Sequence, residues 1–246
     1  MFEHLIRQGF QFGYHSHAQA ILAGDFPDAA DELARALAEL SLPIEEIIAG
    51  GGGETKLTQR LRRSLSEAGW RKARFEVEKI INGTRTQSQS HEIDHVRRLD
   101  AGTIALEIEW NNKDPFFDRD LENFKRLHAD GAISLGVIIT RGTSLQAGMA
   151  DAVRRFLAAH AIASFEALQV FGLSPTPRQR QTVEAQTGRA QHPRDFADAF
   201  ADHFVADKFG TATTHWAKLE DRIRRGVGNP CPLLLIGLPS SILRFS

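Results

Sequence analysis

Apolar side chains recur along this chain at two different spacings, and the spacing predicts which segments are helices and which are strands. Apolar residues three or four positions apart predict helices at residues 28–40, 55–69, 118–130, 148–160 and 215–226. Alternation of apolar and polar residues predicts strands at residues 74–80, 91–99 and 103–110. Segments that are apolar at nearly every position predict strands buried on both faces at residues 132–140 and 232–238.

The order of these predicted elements indicates the fold class. Three strands precede a helix, another strand and another helix, which is typical of an α/β protein with a mixed central β-sheet flanked by helices. Residues 110–140 form a β-α-β unit, for which a right-handed crossover between parallel strands is expected. We predict a single domain over residues 1–246. Its predicted parts are a core at about residues 28–165, a basic loop-rich arm and C-terminal region at about 172–230, and a final strand at about 232–238.

Composition narrows the class of protein. Of the 246 residues, 42% are hydrophobic and 25% are charged, as in an ordinary globular protein, and the formal net charge is −1. Cys231 is the one cysteine, which excludes an internal disulfide and a multi-cysteine metal site and is typical of a reducing compartment. The first residues lack a secretory signal pattern, and no window approaches about 18 uncharged apolar residues. We therefore expect a soluble, cytoplasmic protein without a membrane span.

Two glutamates in the predicted strand at residues 103–110 share one face. Alternation places the apolar side chains on one side and Glu107 and Glu109 on the other. The turn-favouring triplet at residues 100–102 predicts a hairpin with the preceding strand. A two-residue or four-residue loop pairs Asp94 with Glu107, whereas an odd loop would place Asp94 opposite Ile108 on the apolar face unless a bulge intervenes. The pattern therefore predicts that three carboxylates meet on one side of the sheet.

Such a cluster has two interpretations. Three ionised acids within roughly 4–6 Å raise one another's pKa unless a cation neutralises them, and hard oxygen ligands of this kind suit Mg²⁺, with Mn²⁺ as a substitute. A bound divalent ion of this type activates water and offsets charge on a phosphoryl oxygen, so the first interpretation is phosphodiester hydrolysis. The alternative is that Glu107 and Glu109 lie on the solvated face of an edge strand with lysine or arginine partners.

Four segments, spread in order over residues 50–239, carry a resemblance to a known family. They are "GGGETKLTQRLRRSLSEAGW", "HEIDHV", "EIEWNNKDPFFDRDLENFKRLHADGAISLGVIITRG" and "FGTATTHWAKLEDRIRRGVGNPCPLLLIGLP". They resemble the type II restriction endonucleases of the BglII family, related to BamHI and BstYI within the PD-(D/E)XK nuclease fold. The resemblance implies an αβββαβ restriction-endonuclease-like core and a homodimer around double-stranded DNA. It also implies Mg²⁺-dependent, site-specific cleavage leaving 5′-phosphate and 3′-hydroxyl ends, and a cognate DNA methyltransferase in the same system.

The resemblance also assigns roles to individual residues. Asp94 corresponds to the strand aspartate of the family motif and Glu107 to the acid of its D/E-x-K element, so both are implied metal ligands. Glu109 stands where most of the superfamily has lysine, which leaves it three roles: general base, water-orienting group or metal ligand. Glu54 corresponds to a helix acid bordering the metal site. Its alternative is a first-turn acid favoured by the helix dipole.

Residues of the types that bind phosphates and read base edges are concentrated outside the predicted core. We expect DNA contacts from the polar loop at 82–91, the arm at 174–194, the segment after residue 210 and the exit of the glutamate strand: Arg85, Gln87, Gln89, Arg178, Arg180, Thr213, Thr214, His215 and Lys113. Each of these regions has an ordinary solvated loop as its alternative. Two other functions compete with restriction: a PD-(D/E)XK nuclease of DNA repair or recombination, and a catalytically inactive DNA-binding module on the same fold.

Overall fold

The computed structural model describes residues 1–49 and 54–245; the glycines at residues 50–53, which include the start of the first of the four family-like segments, lie outside them. Eight strands are found in these residues: β1 Gln11–His15, β2 Leu42–Pro43, β3 Arg71–Ile81, β4 Thr84–Leu99, β5 Gly102–Glu109, β6 Leu135–Arg141, β7 Leu233–Leu238 and β8 Leu243–Arg244. The α-helices of the same residues are α1 Glu3–Arg7, α2 Ala18–Asp25, α3 Pro27–Ala38, α4 Ile44–Ile48, α5 Lys56–Glu67, α6 Phe116–Ala129, α7 Thr143–Ala159, α8 Phe165–Leu168, α9 Pro177–Thr187, α10 Phe196–Lys208 and α11 Trp216–Arg224.

Six of the strands form one mixed sheet in the order β1-β7-β6-β5-β4-β3, and β2 pairs with β8 separately. β3 pairs with β4, β4 with β5, and β1 with β7 in antiparallel fashion, whereas β5, β6 and β7 are parallel to one another. The predicted mixed sheet and the parallel β5-α6-β6 crossover are therefore confirmed. Every residue of β6 and β7 is buried, as expected for central strands covered by helices on both faces.

Helices cover both faces of the sheet, and the strand alternation decides what each face contacts. Ile104 and Leu106 of β5 pack in the larger core, which includes apolar residues of α3, α5 and α7. Ala105, on the other side of β5, belongs to a second core with apolar residues of α6 and α11. Glu107 and Glu109 share the face of Ala105 and therefore lie on the α6 side of a central strand. The interpretation of these glutamates as a solvated face of an edge strand is wrong.

Two segments that were expected to be loops contain regular structure. The predicted polar loop at residues 82–91 is wrong, because residues 84–99 form the single long strand β4. Its turn is Asn82-Gly83, and both residues have positive φ angles of 51° and 78°, which suits a tight hairpin. The predicted loop at 174–194 contains helix α9, whose N-cap Thr176 forms a capping box with Gln179. The sheet also includes β1, from the first residues of the chain.

Candidate active site

The hairpin of β4 and β5 has the predicted register, but a bulge changes the direction of its aspartate. The pairs run from Leu99 with Gly102 to His95 with Leu106, which confirms the even loop. On the other side of β4 the register shifts, so that Asp94 and His95 together oppose the single residue Lys72. A bulge of this kind re-aims side chains. The Asp94 side chain, 59% exposed, opens into a cleft, while its backbone N–H donates to Oε1 of Glu107 at 3.4 Å.

The cleft beside Asp94 has a volume of about 1290 Å³ and is bounded by α5 on one side and by the bulged part of β4 on the other. Glu54 lies at its edge, directly before the N-cap residue Thr55 of α5, and Oε2 of Glu54 is 2.9 Å from Nη1 of Arg62. Glu54 and Asp94 therefore line the same cleft. This placement is compatible with an acid bordering a metal site, whereas the interpretation as a first-turn acid of α5 is wrong, because the helix begins after Thr55.

Glu107 and Glu109 are buried under α6 together with a third acid, Asp120, which belongs to that helix. Their exposed fractions are 5%, 3% and 1%. Burial, followed by the charges of Asp120 and Asp94, raises the pKa of Glu107 to about 9. Burial and the neighbouring Asp120 raise the pKa of Glu109 to about 8, and burial raises the pKa of Asp120 as well. Each shift has the sign expected for carboxylates that lack a neutralising cation in a desolvated site.

Asp120 was not among the predicted site residues, although its position contains a signal. It lies on the buried face of α6 between Phe117 and Phe124, at helical spacing with both. A carboxylate on an otherwise apolar helix face is rarely buried without a partner. Here one oxygen of Asp120 is 2.8 Å from Nη2 of Arg119, while Oδ2 is buried without a hydrogen-bond partner among the described residues.

Glu109 contacts one hydrogen-bond donor and one cation besides the neighbouring Asp120. Asn112 donates from Nδ2 to Oε2 of Glu109 at 2.7 Å, and Nη2 of Arg119 is 3.6 Å from Oε1. Arg119 also lies over the ring of Phe116, with 4.4 Å between Cζ and the ring centroid. One half-exposed guanidinium thus faces the carboxylates of both Glu109 and Asp120, which leaves this cluster with an excess of negative charge whenever its acids are ionised.

The exit of β5 is fixed from the far side by a buried arginine. Arg141, fully buried at the end of β6, donates from Nη2 to the Thr214 carbonyl at 2.7 Å and to Oγ1 of Thr213 at 2.6 Å. The Thr214 N–H in turn donates to the Asn112 carbonyl at 2.8 Å, and the Asn112 N–H to Oγ1 of Thr214 at 3.2 Å. Because the Asn112 side chain holds Glu109, this network links the segment after residue 210 to the carboxylate cluster.

The residues predicted to contact DNA therefore fall into two groups. Thr214 and His215 are buried, and the Thr213 hydroxyl accepts from Arg141 and donates to the Gly210 carbonyl. The placement of these three residues favours a role in supporting the β5 exit over direct contact with DNA. The other predicted contacts are more accessible. Lys113, Arg178 and Arg85 are exposed, and Arg85 is paired with Glu78. Gln89 on β4 and Arg180 are half-buried, and Arg180 is paired with Glu166. Gln87 belongs to β4, and its side chain lies outside the described residues.

The donor set of the site fits a small, hard divalent cation, although the described side chains do not yet enclose one. No three histidine, cysteine, aspartate or glutamate groups among residues 1–49 and 54–245 are close enough together to hold a metal ion. The available donors are carboxylate oxygens, which Mg²⁺ and Mn²⁺ prefer. The unpartnered oxygen of Asp120 and the raised pKa values of Glu107 and Glu109 indicate that these acids lack the positive charge that a cation would supply.

Comparison with known proteins agrees with this arrangement. A family model described as "Restriction endonuclease BglII/BglIII" matches residues 10–238, which include β1, the carboxylate cluster, the cleft and β7. No curated protein matches the chain. No helix in the described part of the chain is both long and apolar enough to cross a membrane.

Proposed function

Because this chain belongs to the BglII/BglIII family of restriction endonucleases, we propose that it is a type II enzyme that hydrolyses duplex DNA at a specific site. The reaction requires Mg²⁺ and leaves 5′-phosphate and 3′-hydroxyl ends. The observation that carries the proposal is the carboxylate pair Glu107 and Glu109, buried beneath α6 next to the backbone of Asp94 and within the matched residues. Buried acids without a neutralising partner are costly unless the function uses them.

Asp94 and Glu107 are the residues that would hold Mg²⁺, or Mn²⁺ in its place, and Glu109 would be a third ligand only if it is not the general base. When bound, the ion offsets negative charge on the scissile phosphate and lowers the pKa of the attacking water. The exposed Asp94 offers an oxygen from the cleft, and the Glu107 carboxylate lies against the Asp94 backbone. Glu54, at the edge of the same cleft, borders the site.

Glu109 accepts the proton of the attacking water in this proposal. Asn112 and Arg119 fix the orientation of its carboxylate, and a positioned carboxylate contributes typically 10²–10⁴-fold as a general base. A lysine at this position could not accept a proton while it is charged. The two other roles, water-orienting group and metal ligand, predict different results for substitution by glutamine.

Members of a restriction endonuclease family bind DNA, and we propose here which residues of this chain contact it. We place phosphate and base contacts on the accessible residues of the β3–β4 hairpin, of α9 and of the β5 exit, including Arg85, Gln89, Arg178, Arg180 and Lys113. A homodimer is expected, because cutting both strands of a two-fold symmetric site requires two centres related by the same symmetry. A cognate methyltransferase would protect the host DNA at that site.

A plasmid digest tests the proposed function. With Mg²⁺ we expect discrete fragments, and with EDTA or with Ca²⁺ alone we expect uncut plasmid. Sequencing the fragment ends then gives the site, the stagger and the symmetry together. A smear instead of fragments would favour a nuclease of repair or recombination, and a gel shift without cutting would favour a DNA-binding module.

The stability of the metal-free protein should fall as the pH rises. In the unfolded chain Glu107 has its ordinary pKa of 4.5, whereas its folded value is about 9. Between these values the folded state binds a proton that the unfolded state has released, so the free energy of unfolding decreases with increasing pH. The contribution of Glu107 to stability is fully present below its ordinary pKa and is lost as the pH rises through its folded pKa. Glu109, raised to about 8, adds to the same trend.

Calorimetry between about pH 5 and pH 9, with and without Mg²⁺, measures this effect. We expect Tm to fall across the window without metal and to fall less with Mg²⁺, so that stabilisation by Mg²⁺ grows with pH. Glu107→Gln is the control, because it removes one titrating acid and should flatten the metal-free profile. A metal-free Tm that rises or stays level from pH 6 to pH 9 would contradict the buried, unneutralised cluster.

A further inference from the structure

Lys72 has a position in the cleft that none of the assigned roles uses. It is the single residue of β3 opposite the bulge at Asp94 and His95. Its Nζ lies 2.6 Å from Oε1 of Glu92 and 3.7 Å from Oδ1 of Asp94, and its side chain, 58% exposed, lines the cleft. A positive charge on the neighbouring strand is thus brought beside a proposed metal ligand by the same bulge that re-aims that ligand.

The distance to Asp94 has a consequence for substrate binding. Asp94 is one of the residues that would hold the divalent ion, and a phosphate bound to that ion would lie close to Asp94. Nζ of Lys72, 3.7 Å from Oδ1 of Asp94, would then lie near the same phosphate. The ammonium group can reach that phosphate by side-chain rotation, without movement of β3.

Several other cations near the carboxylates have partners away from Asp94. Arg62 pairs with Glu54, and Arg119 faces the two acids under α6. Lys208 is held by the carbonyls of Ile47 and Ala49. The partner of Lys72, in contrast, is the exposed Glu92. Exposed ion pairs of this kind contribute little to stability because water screens them, so a phosphate can replace Glu92 at little cost.

On this geometry, and resting on the function proposed above, we infer that Lys72 is a substrate-binding residue that contacts the scissile phosphate of the DNA. Glu92 holds the ammonium group near Asp94 while the cleft is free of DNA. On binding, a phosphate oxygen takes the place of Glu92. The occupant of this part of the cleft is therefore the sugar-phosphate backbone at the cleavage position, which no base-reading side chain needs to contact.

Four proteins test this inference: wild type, Lys72→Ala, Lys72→Arg and the control Lys125→Ala. Lys125, on α6, is likewise paired with a carboxylate, Glu122 at 3.2 Å, and does not line the cleft. Binding to a short duplex carrying the site mapped from plasmid fragments is measured in Ca²⁺ between about 50 and 200 mM salt. We expect Lys72→Ala to reduce the slope of log K against log salt by about 1, with Lys72→Arg close to wild type and Lys125→Ala unchanged.

Cleavage is measured in the same series under single-turnover conditions with Mg²⁺. Lys72→Ala should be about 10–100-fold slower, and Lys72→Arg should recover most of that loss. A salt slope and a rate that are the same for Lys72→Ala and Lys125→Ala, while wild type cuts at its site, overturn the inference and leave the proposed function standing. If wild type binds DNA but never cuts plasmid, the proposed function fails; the salt slope is then measured on a duplex of arbitrary sequence, and equal slopes for wild type and Lys72→Ala overturn a phosphate contact by Lys72.

Discussion

Replacing Glu107 by glutamine should reduce DNA cleavage at least about a thousandfold while leaving DNA binding in Ca²⁺ measurable. Glutamine has the shape of glutamate, and its oxygen can still accept the Asp94 N–H that Glu107 accepts at 3.4 Å. The fold is therefore expected to persist. What the substitution removes is a negative charge next to Asp94, and with it one of the acids proposed to hold Mg²⁺.

Single-turnover cleavage of plasmid DNA and gel shifts in Ca²⁺ measure the two parts of this result. Glu122→Gln is the matched control, since Glu122 is a glutamate on the solvent side of α6, paired with Lys125 and Arg126. It should cut at the wild-type rate. Wild-type cleavage by Glu107→Gln would remove Glu107 from the site. Loss of both cleavage and binding, with a lowered Tm, would instead indicate a structural role.

Local patterns were sufficient to predict the frame of this site. The alternation in β5 assigns Glu107 and Glu109 to one face, and the turn at residues 100–102 allows only even loops if the apolar faces are to match. The observed pairs, from Leu99 with Gly102 to His95 with Leu106, follow that rule. Register is predictable here because a slip of one residue would exchange the buried and exposed faces of the whole strand.

The direction of Asp94 could not be predicted in the same way. It depends on a shift between β3 and β4, where Asp94 and His95 oppose Lys72. A bulge depends on how two strands pair, so the sequence of one strand does not reveal it. The outer half of β4 was not recognised as a strand, because it is polar on both faces and shows no apolar alternation. The Asn82-Gly83 dipeptide was the available signal for that hairpin. A tight turn there would have placed residues 84–90 on a strand.

The helix that packs over Glu107 and Glu109 could not be predicted from alternation either. Alternation indicates which side chains share a face of a strand, but not which element packs against that face. The apolar stripe of α6 predicts that the helix packs on the sheet, and Asp120 within the stripe predicts a buried acid. Only the right-handed crossover from β5 to β6 determines that α6 covers the face of Glu107 and Glu109. Together, these two steps bring the third carboxylate to the cluster.

Replacing Glu109 by glutamine should slow cleavage about a hundredfold or more, and replacing it by lysine should do the same. The reason lies in what surrounds the side chain. Asn112 Nδ2, 2.7 Å from Oε2, and Arg119 Nη2, 3.6 Å from Oε1, are both donors, so the position is built for an acceptor. Glutamine keeps an acceptor for Asn112 but cannot take a proton from water, and lysine offers neither.

The set Glu109→Gln, Glu109→Asp and Glu109→Lys separates the three roles of this residue when cleavage is followed against pH and metal concentration. A general base predicts that Glu109→Gln loses rate at saturating Mg²⁺ and that Glu109→Asp, which keeps the carboxylate, recovers part of it. A metal ligand predicts that the glutamine variant recovers with excess Mg²⁺. A water-orienting group predicts that glutamine stays within about tenfold of wild type, because its oxygen can hold the water as the carboxylate does. Because Asn112 still has an acceptor in the glutamine variant, a large loss there points to the missing proton acceptor and not to a displaced side chain.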